Sequence, residues 1–308
     1  MQFGTLQPKA AEQKAIDLNV WSETGRLRSA IVHGAGNLVG YHDAGRIIKA
    51  LPDDAWDKFL KEEKHHHEGG EWKAPQAKAQ VRAFHALLRE SGVELIFPED
   101  VKGQFVQFFT RDMGFVIGDT FYISNRTDEY RKREIDGISE QLRQIKNVVH
   151  LTEGRIEGGD VMVDGTTVYV GTSAKTNPDG YHSLKEKTEA RGFEAVQLQL
   201  KRQVLHLDCR FNIIGDRLAI VMQDDFSEEA LQTIKSRFEI IEVSKKQQKA
   251  IPTNVFLIAP KKIASDLRNA ELNRALRGRG FEVHEFPFDE VTKLWGSFRC
   301  CVLPLFRD

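Results

Sequence analysis

A weak internal repeat constrains the fold of this chain more than any other feature of its sequence. Four segments each consist of an apolar run, a short polar turn and a second apolar run, a pattern typical of β-hairpins. They are residues 115–124, 161–171, 211–221 and 255–264. The segments recur roughly every 45–50 residues, a spacing found in propellers and solenoids. Such units cannot bury their apolar faces alone, so they must stack on neighbours or close into a ring.

Each hairpin is followed by an amphipathic stretch that predicts a helix and by a short apolar run that predicts a third strand. The predicted helices are residues 131–145, 181–190, 227–238 and 265–277. The predicted closing strands are residues 148–151, 193–198, 240–243 and 281–284. The repeated unit is therefore a pseudo-symmetric ββαβ arrangement.

A fifth unit opens the chain, with a strand in residues 21–34, a helix in 78–91 and a strand in 93–97. A charged insertion at 37–75 interrupts this unit and carries the run His65–His67, which we interpret as solvated. There is no Pro/Ser/Gly-rich linker, so we expect one α/β domain over residues 1–308.

Composition excludes several classes of function. The chain has 44 Lys and Arg against 45 Asp and Glu, whereas nucleic-acid binders normally carry excess positive charge. No apolar run reaches the ~18 residues of a membrane span, and residues 1–17 lack the apolar core of a signal peptide. The three cysteines include an adjacent pair, Cys300 and Cys301, which argues against a disulfide framework. We expect a cytoplasmic protein with free thiols.

Chemically capable residues stand directly before the hairpin strands. Asp112, Glu157, His206 and Asp208 occupy such positions, and Cys300 lies in the comparable region of the last unit. A ring of units would bring equivalent strand starts to a common axis. Taken singly, each residue is more often a turn, cap or core residue. Their matching positions favour a shared site.

The residues around these positions resemble the motifs of the guanidino-group-modifying superfamily, or penteins. The matching segments are FTRD at 109–112, EGGD at 157–160, HLD at 206–208 and RCCVLP at 299–304. That superfamily includes arginine deiminase, dimethylarginine dimethylaminohydrolase and the amidinotransferases. The resemblance implies a five-bladed α/β propeller with its site on the pseudo-axis, in agreement with the repeat count.

The resemblance also implies roles for single residues. Cys300 matches the nucleophile and His206 the proton shuttle, with Glu157 orienting the imidazole. Asp112 and Asp208 match the carboxylates that hold the guanidinium.

Other positions carry weaker implications. Phe109 could stack on the guanidinium, although a core phenylalanine is the commoner case. Arg131 matches the first of two family arginines that bind a substrate carboxylate, although it is equally well explained as a solvated helix residue. Lys175 stands where the second arginine would be, and a lysine keeps the charge but loses the bidentate contact. Cys301 is expected on the opposite side of a strand from Cys300, in the core. No metal or cofactor is needed.

We therefore expect a cysteine-dependent hydrolase that acts on a free arginine-like compound through a covalent amidino-thiol intermediate. Within the superfamily, Asp208 favours deiminase-like or amidinotransferase-like members over dimethylarginine hydrolases. An amidinotransferase and a dimethylarginine dimethylaminohydrolase remain alternatives, and a non-enzymatic binding propeller is a weaker one. The expected partner is a small guanidino compound, with no nucleic acid and no membrane. The sequence leaves a homodimer open, as well as whether the 37–75 insertion is a lid.

Overall fold

The fold is α/β and consists of five three-stranded mixed sheets among the residues described by the computed structural model, which are 15–35, 73–104, 106–126, 128, 131–201 and 204–308. The strands are β1 (Leu27–Ile31), β2 (Glu94–Ile96), β3 (Gly114–Ile117), β4 (Thr120–Ile123), β5 (Val148–His150), β6 (Val161–Asp164), β7 (Thr167–Thr172), β8 (Glu194–Gln199), β9 (Phe211–Gly215), β10 (Leu218–Val221), β11 (Glu239–Glu242), β12 (Phe256–Ala259), β13 (Lys262–Asp266), β14 (Glu282–Phe286) and β15 (Leu303–Arg307). The helices are α1 (Ala74–Glu90), α2 (Ser139–Gln144), α3 (Pro178–Glu189), α4 (Glu228–Arg237), α5 (Ala270–Gly278) and α6 (Asp289–Thr292).

Every sheet has the same internal order, which confirms the repeat. The central strand pairs antiparallel with its hairpin partner and parallel with the strand that follows the helix. The four predicted hairpins are β3–β4, β6–β7, β9–β10 and β12–β13. Their tight turns need a left-handed residue. Gly118 and Gly165 supply it at φ 59° and 60°, whereas Arg217 and Lys261 adopt it in the last two hairpins.

The chain's last strand completes its first sheet, a pairing that the sequence reasoning did not assign. β15 runs antiparallel to β1, with Ala30 opposite Pro304, and β2 pairs parallel to β1 on the other side. The first unit therefore obtains its hairpin-equivalent strand from the opposite end of the chain.

Two helices differ most from their predicted bounds. Residues 131–145 form a short 3-10 helix, Glu134–Ile138, followed by α2. Gly137 lies within the 3-10 helix and packs closely, since a Cβ there would lie 2.4 Å from the Gln107 side chain and 2.5 Å from the carbonyl of Glu99. The stretch predicted from residue 265 becomes helical only at Ala270, since residues 265 and 266 continue β13 in its pairing with β14.

Apolar clusters join each sheet to the next along the chain. Phe115 of β3 packs with Val161 of β6 in one such cluster. The first and last sheets are also joined, because Leu27 and Ala30 of β1 share a cluster with Phe256 of β12. Among the described residues, no helix combines the length and apolar composition needed to cross a bilayer.

The predicted insertion at 37–75 falls largely outside the described residues, and His65–His67 lie there. Its last two residues begin α1.

Candidate active site

Five short turns stand before the first strand of each hairpin and before β15, and together they carry the candidate residues. The turns are Thr110–Met113, Gly158–Asp160, Leu207–Cys209, Pro252–Asn254 and residues 298–301. The first four contact one another in chain order. The last turn joins both ends of this series, because Arg111 N–H donates to the Cys300 carbonyl at 3.1 Å and Arg299 N–H donates to the Asn254 carbonyl at 3.2 Å.

Three predicted residues meet on what we call the histidine side: Asp112, Glu157 and His206. His206 Nε2 lies 3.0 Å from Glu157 Oε2, and His206 Nδ1 lies 3.9 Å from Asp112 Oδ1. All three side chains are buried. Gly159 makes this approach possible, since a Cβ there would lie 2.7 Å from Cγ of the imidazole and 3.0 Å from Asp112 Oδ1.

The electrostatics of the histidine side favour a protonated imidazole. Burial alone lowers the pKa of His206, but the Asp112 charge and the hydrogen bond to Glu157 outweigh it and raise the pKa to about 10. Burial acts in the opposite direction on Glu157, yet Arg126 and His206 hold the pKa of that carboxyl well below its usual range. Arg126 Nε lies 3.4 Å from Glu157 Oε1. A protonated imidazole beside an ionised glutamate follows at neutral pH.

Two further predicted residues, Asp208 and Cys300, meet on what we call the cysteine side, which also includes Asn254. Cys300 Sγ lies 3.6 Å from Asp208 Oδ2, and the Asn254 side-chain amide donates to the sulfur at 3.2 Å. Burial, the Asp208 charge and the neighbouring Cys209 raise the pKa of the Cys300 thiol well above its ordinary value. The sulfur is therefore a thiol in this arrangement.

The two adjacent cysteines lie in the turn at residues 298–301, where a strand was predicted to separate them. Chain direction reverses here: Cys301 N–H donates to the carbonyls of Ser297 and Phe298, and β15 begins only at Leu303. The interpretation that a strand pleat separates them was therefore wrong. Cys301 is nonetheless buried in the core, in the same apolar cluster as Cys300.

Arg131 is buried and already bonded through all three guanidinium nitrogens. It donates to Asp112 Oδ2 at 2.9 Å, to both oxygens of Glu134 and to the Phe109 carbonyl. It is therefore not a solvated helix residue. Its guanidinium lies 5.9 Å from the centre of the Phe109 ring, which is itself packed in the apolar core. Stacking of Phe109 on a substrate stays a prediction.

Lys175 lies beside Asp128, with Nζ 2.6 Å from Oδ2. Its charge also acts on the histidine side, where it helps to lower the pKa of Glu157. Binding of a substrate carboxylate by Lys175 and Arg131 stays a prediction.

Three residues that touch the site were missed by the sequence reasoning: Asn254, Arg299 and Glu23. Arg299 donates to Asp208 Oδ2 at 3.0 Å and to both oxygens of Glu23, and all three side chains are buried. Repeat equivalence could have identified Asn254, because it precedes the fourth hairpin as Asp112 precedes the first. Nothing in the local pattern marks Glu23, which comes from a segment outside the repeated strand starts.

Asp160, the last residue of EGGD, holds two turns together. Its carboxylate accepts from the backbone N–H of Leu207 at 2.8 Å and from the hydroxyls of Ser173 and Thr176. Burial raises the pKa of Asp160 to about 7. Its role is to position the neighbouring turn that carries His206 and Asp208.

Asp112, Glu157 and His206 each offer a possible ligand atom within 4.8 Å of the others. Both carboxylates are already paired with buried arginines, Asp112 with Arg131 and Glu157 with Arg126. A divalent cation would compete with these charges, so we do not assign a metal. The expectation of a metal-free and cofactor-free site stays a prediction.

Comparison with known proteins identifies the family. The family model described as "N,N dimethylarginine dimethylhydrolase, eukaryotic" matches residues 50–307. The chain belongs to this family. The family lies in the guanidino-group-modifying superfamily, which confirms the resemblance and the enzyme class inferred from the four motifs.

Curated relatives agree with this placement. The uncharacterized protein YkgA of Bacillus subtilis is 33% identical over 269 residues, which cover 87% of this chain and 93% of that protein. Arginine deiminase of Listeria welshimeri is 28% identical over 250 residues, covering 65% of this chain and 61% of the deiminase. The chain thus spans about three-fifths of the length of that deiminase.

Solved structures share the fold. The amidinotransferase SxtG from Microseira wollei superposes with a TM-score of 0.73 at 15% identity, covering 94% of this chain and 97% of its own. A dimethylarginine dimethylaminohydrolase adduct gives 0.72 at 17% identity, covering 90% and 99%. The N-terminal domain of the cyanobacterial arginine dihydrolase ArgZ, bound to its product, gives 0.70 at 21% identity, covering 77% and 88%.

Proposed function

We propose that this protein is a cysteine-dependent hydrolase acting on the guanidino group of a free arginine-like compound through a covalent amidino-thiol intermediate. We propose further that its five sheets close into a five-bladed α/β propeller with the site on the pseudo-axis. Packing supports the ring, because each sheet shares an apolar cluster with the next and the first shares one with the last.

The observation that carries the functional proposal is the assembly of the predicted residues on consecutive turns. A glutamate–histidine pair at 3.0 Å stands on one side and a cysteine beside a carboxylate at 3.6 Å on the other. The turns between them are in direct contact. A nucleophile, an acid–base group and carboxylates are the groups that guanidinium chemistry needs.

An unsatisfied carboxylate oxygen supports cation binding between the two sides. Asp112 Oδ1 is buried and accepts no hydrogen bond from any described residue, while its other oxygen is taken by Arg131. A buried carboxylate oxygen without a donor is costly. The N–H groups of a guanidinium would satisfy it, with Asp208 as the second carboxylate.

Catalysis then follows from the protonation states. An arriving cation offsets the Asp112 and Asp208 charges, so the Cys300 thiol releases its proton to solvent and Sγ attacks the guanidinium carbon. The C–N bond to the leaving amine breaks as His206 gives its proton, from Nδ1 because Nε2 faces Glu157. Neutral His206 next deprotonates a water, whose oxygen attacks the adduct carbon. The C–S bond then breaks and the remaining hydroxyl proton of the adduct passes to the sulfur, which yields the ureido product and the thiol.

Water and an amine are both candidates for the second nucleophile, and the leaving group differs between family members. The match to the dimethylarginine family model favours methylated arginines as a second candidate substrate class. Asp208 is the aspartate of the HLD motif and contacts Cys300. The family resemblance implies that this aspartate favours deiminase-like chemistry. An amidinotransferase differs only in passing the adduct to an acceptor amine.

One assay separates these reactions. The protein is incubated with arginine, agmatine and methylated arginines, with and without glycine, and ureido product, ammonia and dimethylamine are measured. Ureido product without an acceptor is the expected result. Turnover only with glycine would replace the hydrolase by an amidinotransferase, and no turnover of any guanidino compound would contradict the proposal.

We also propose a cytoplasmic location, supported by three buried free thiols, Cys209, Cys300 and Cys301.

A further inference from the structure

The fourth turn of the site carries a residue that the proposed chemistry has not used. Asn254 is fully buried at the end of the turn Pro252–Asn254, which precedes the fourth hairpin as the turns of Asp112 and Asp208 precede the first and third. Its side chain contacts Cys300 twice: the amide nitrogen donates to Sγ at 3.2 Å, and the amide oxygen accepts from the Cys300 N–H at 3.2 Å.

The hydrogen bonds fix which end of the Asn254 amide faces the sulfur. The backbone N–H of Cys300 is a donor only, so it must meet the amide oxygen. Turning the amide over would oppose two N–H groups and remove both bonds. The nitrogen is thereby directed at Sγ, and it also donates to the Asp208 carbonyl at 3.4 Å.

The electrostatic surroundings of Cys300 make a donor at this position consequential. Asp208, Cys209 and Asp112 all oppose a negative charge on the sulfur, as does burial. An N–H directed at the sulfur acts the other way, because it stabilises a thiolate more than a thiol. The contact is shielded from solvent, so water does not screen it.

We propose that Asn254 is a catalytic residue that stabilises the Cys300 thiolate by donating its side-chain N–H to Sγ while its oxygen holds the Cys300 backbone. The inference rests on the proposed function, but the effect that it predicts is on the ionisation of the Cys300 thiol. It can therefore be tested without turnover.

The test is the rate of Cys300 alkylation by iodoacetamide at several fixed pH values between about pH 6 and about pH 10, followed by mass mapping of the modified peptide. Asn254→Ala removes the donor. A hydrogen bond to a charged group corresponds to about one to two pKa units, so the pKa of the thiol should rise by that amount and the alkylation rate at each of these pH values should fall roughly 10- to 100-fold.

Asn212→Ala is the matched control. The Asn212 amide donates to the carbonyls of Thr253 and Val255, on either side of Asn254, at 2.7 and 2.8 Å. This variant loosens the same turn without removing the sulfur contact, so its alkylation rate should stay at the wild-type value at each pH. Equal losses of rate in both variants, or no loss in Asn254→Ala, would overturn the proposal.

Asn254→Asp guards against loss of folding, because a carboxylate still accepts from the Cys300 N–H. It lacks the donor and adds a negative charge, so its alkylation rate should fall at least as far as that of Asn254→Ala. A wild-type rate here would refute the role of the N–H. The loss of rate in the Asn254 variants without any guanidino turnover by the wild type would refute the proposed function alone, whereas turnover without that loss would refute the role of Asn254 alone.

Discussion

The histidine side of the site stabilises a charged group, whereas the cysteine side stabilises a neutral one. On the histidine side, an ionised glutamate and an aspartate raise the pKa of His206 to about 10. On the cysteine side, a carboxylate and burial raise the pKa of the Cys300 thiol well above its ordinary value. Both groups consequently hold a proton at neutral pH.

This difference indicates what the site requires before it can react. An acid is already in place on the histidine side, but the nucleophile on the cysteine side is still neutral. Two carboxylates, Asp112 and Asp208, face the region between them, and each is already engaged by an arginine. A bound cation would neutralise the charge that keeps the sulfur protonated. Substrate binding and activation of Cys300 should therefore be coupled.

Removing the sulfur should have the largest effect. Cys300→Ser should lower kcat by roughly 10^4-fold or more, because a hydroxyl in this environment is a far weaker nucleophile. Steady-state turnover of the best substrate measures it. Cys301→Ser is the matched control, since it changes the neighbouring buried thiol and should keep most of the activity. Equal losses in the two variants would show that the cysteine side was wrongly assigned.

Removing the acid should come next. His206→Gln should reduce kcat by about 10^2- to 10^4-fold while substrate binding is retained, since the acid assists bond breaking and does not hold the guanidinium. Isothermal titration calorimetry and turnover separate the two effects. His85→Gln, which changes another buried histidine, provides the control. If substrate binding were lost together with turnover, His206 would hold the substrate, which contradicts its assignment as the acid alone.

Weakening the cation contact should have a smaller effect. Asp112→Asn should raise KM about 10- to 100-fold, because one charge-assisted hydrogen bond to the guanidinium becomes neutral. It should also lower the pKa of His206, which the Asp112 charge supports. The pH profile of kcat/KM reports both changes. Asp136→Asn, an exposed residue paired with Arg133, should leave both values unchanged. An unaltered KM in Asp112→Asn would remove Asp112 from the binding site.

The sequence predicted those parts of the molecule that are encoded locally. The hairpins could be found because β-branched runs flank turn residues such as Gly118 and Gly165. The positions of Asp112, Glu157 and His206 followed from the repeat, since equivalent residues of similar units are brought to equivalent places. For these residues, the contacts observed are the ones that the repeat implies.

Other parts depend on contacts between distant segments. β15 completes the first sheet only because both ends of the chain lie side by side, with Ala30 opposite Pro304. The Glu23–Arg299 pair spans nearly the whole chain, and no spacing rule links them. Tertiary packing decided each of these features.

The smallest effect should be on stability, and it tests the charge state of the histidine side directly. The folded-state pKa of His206, about 10, lies above the ordinary value of about 6.5. The folded protein thus binds an extra proton between these values, so the stabilisation is complete below about pH 6.5 and is lost as the pH rises toward 10. The loss is at most about 5 kcal/mol. Urea unfolding of the wild type at several pH values in this window should show a declining free energy of unfolding.

His206→Gln isolates this contribution. The three buried thiols also lower the free energy of unfolding as the pH rises. Their raised pKa values keep them protonated in the folded state, whereas the same thiols ionise in the unfolded chain. Both proteins share that decline. The wild type should lose more stability than His206→Gln across the window, and the difference between the two curves is the imidazole's share. Parallel curves would mean that Asp112 and Glu157 do not hold His206 in its protonated form. Only the pKa of the Cys300 thiol would then distinguish the two sides.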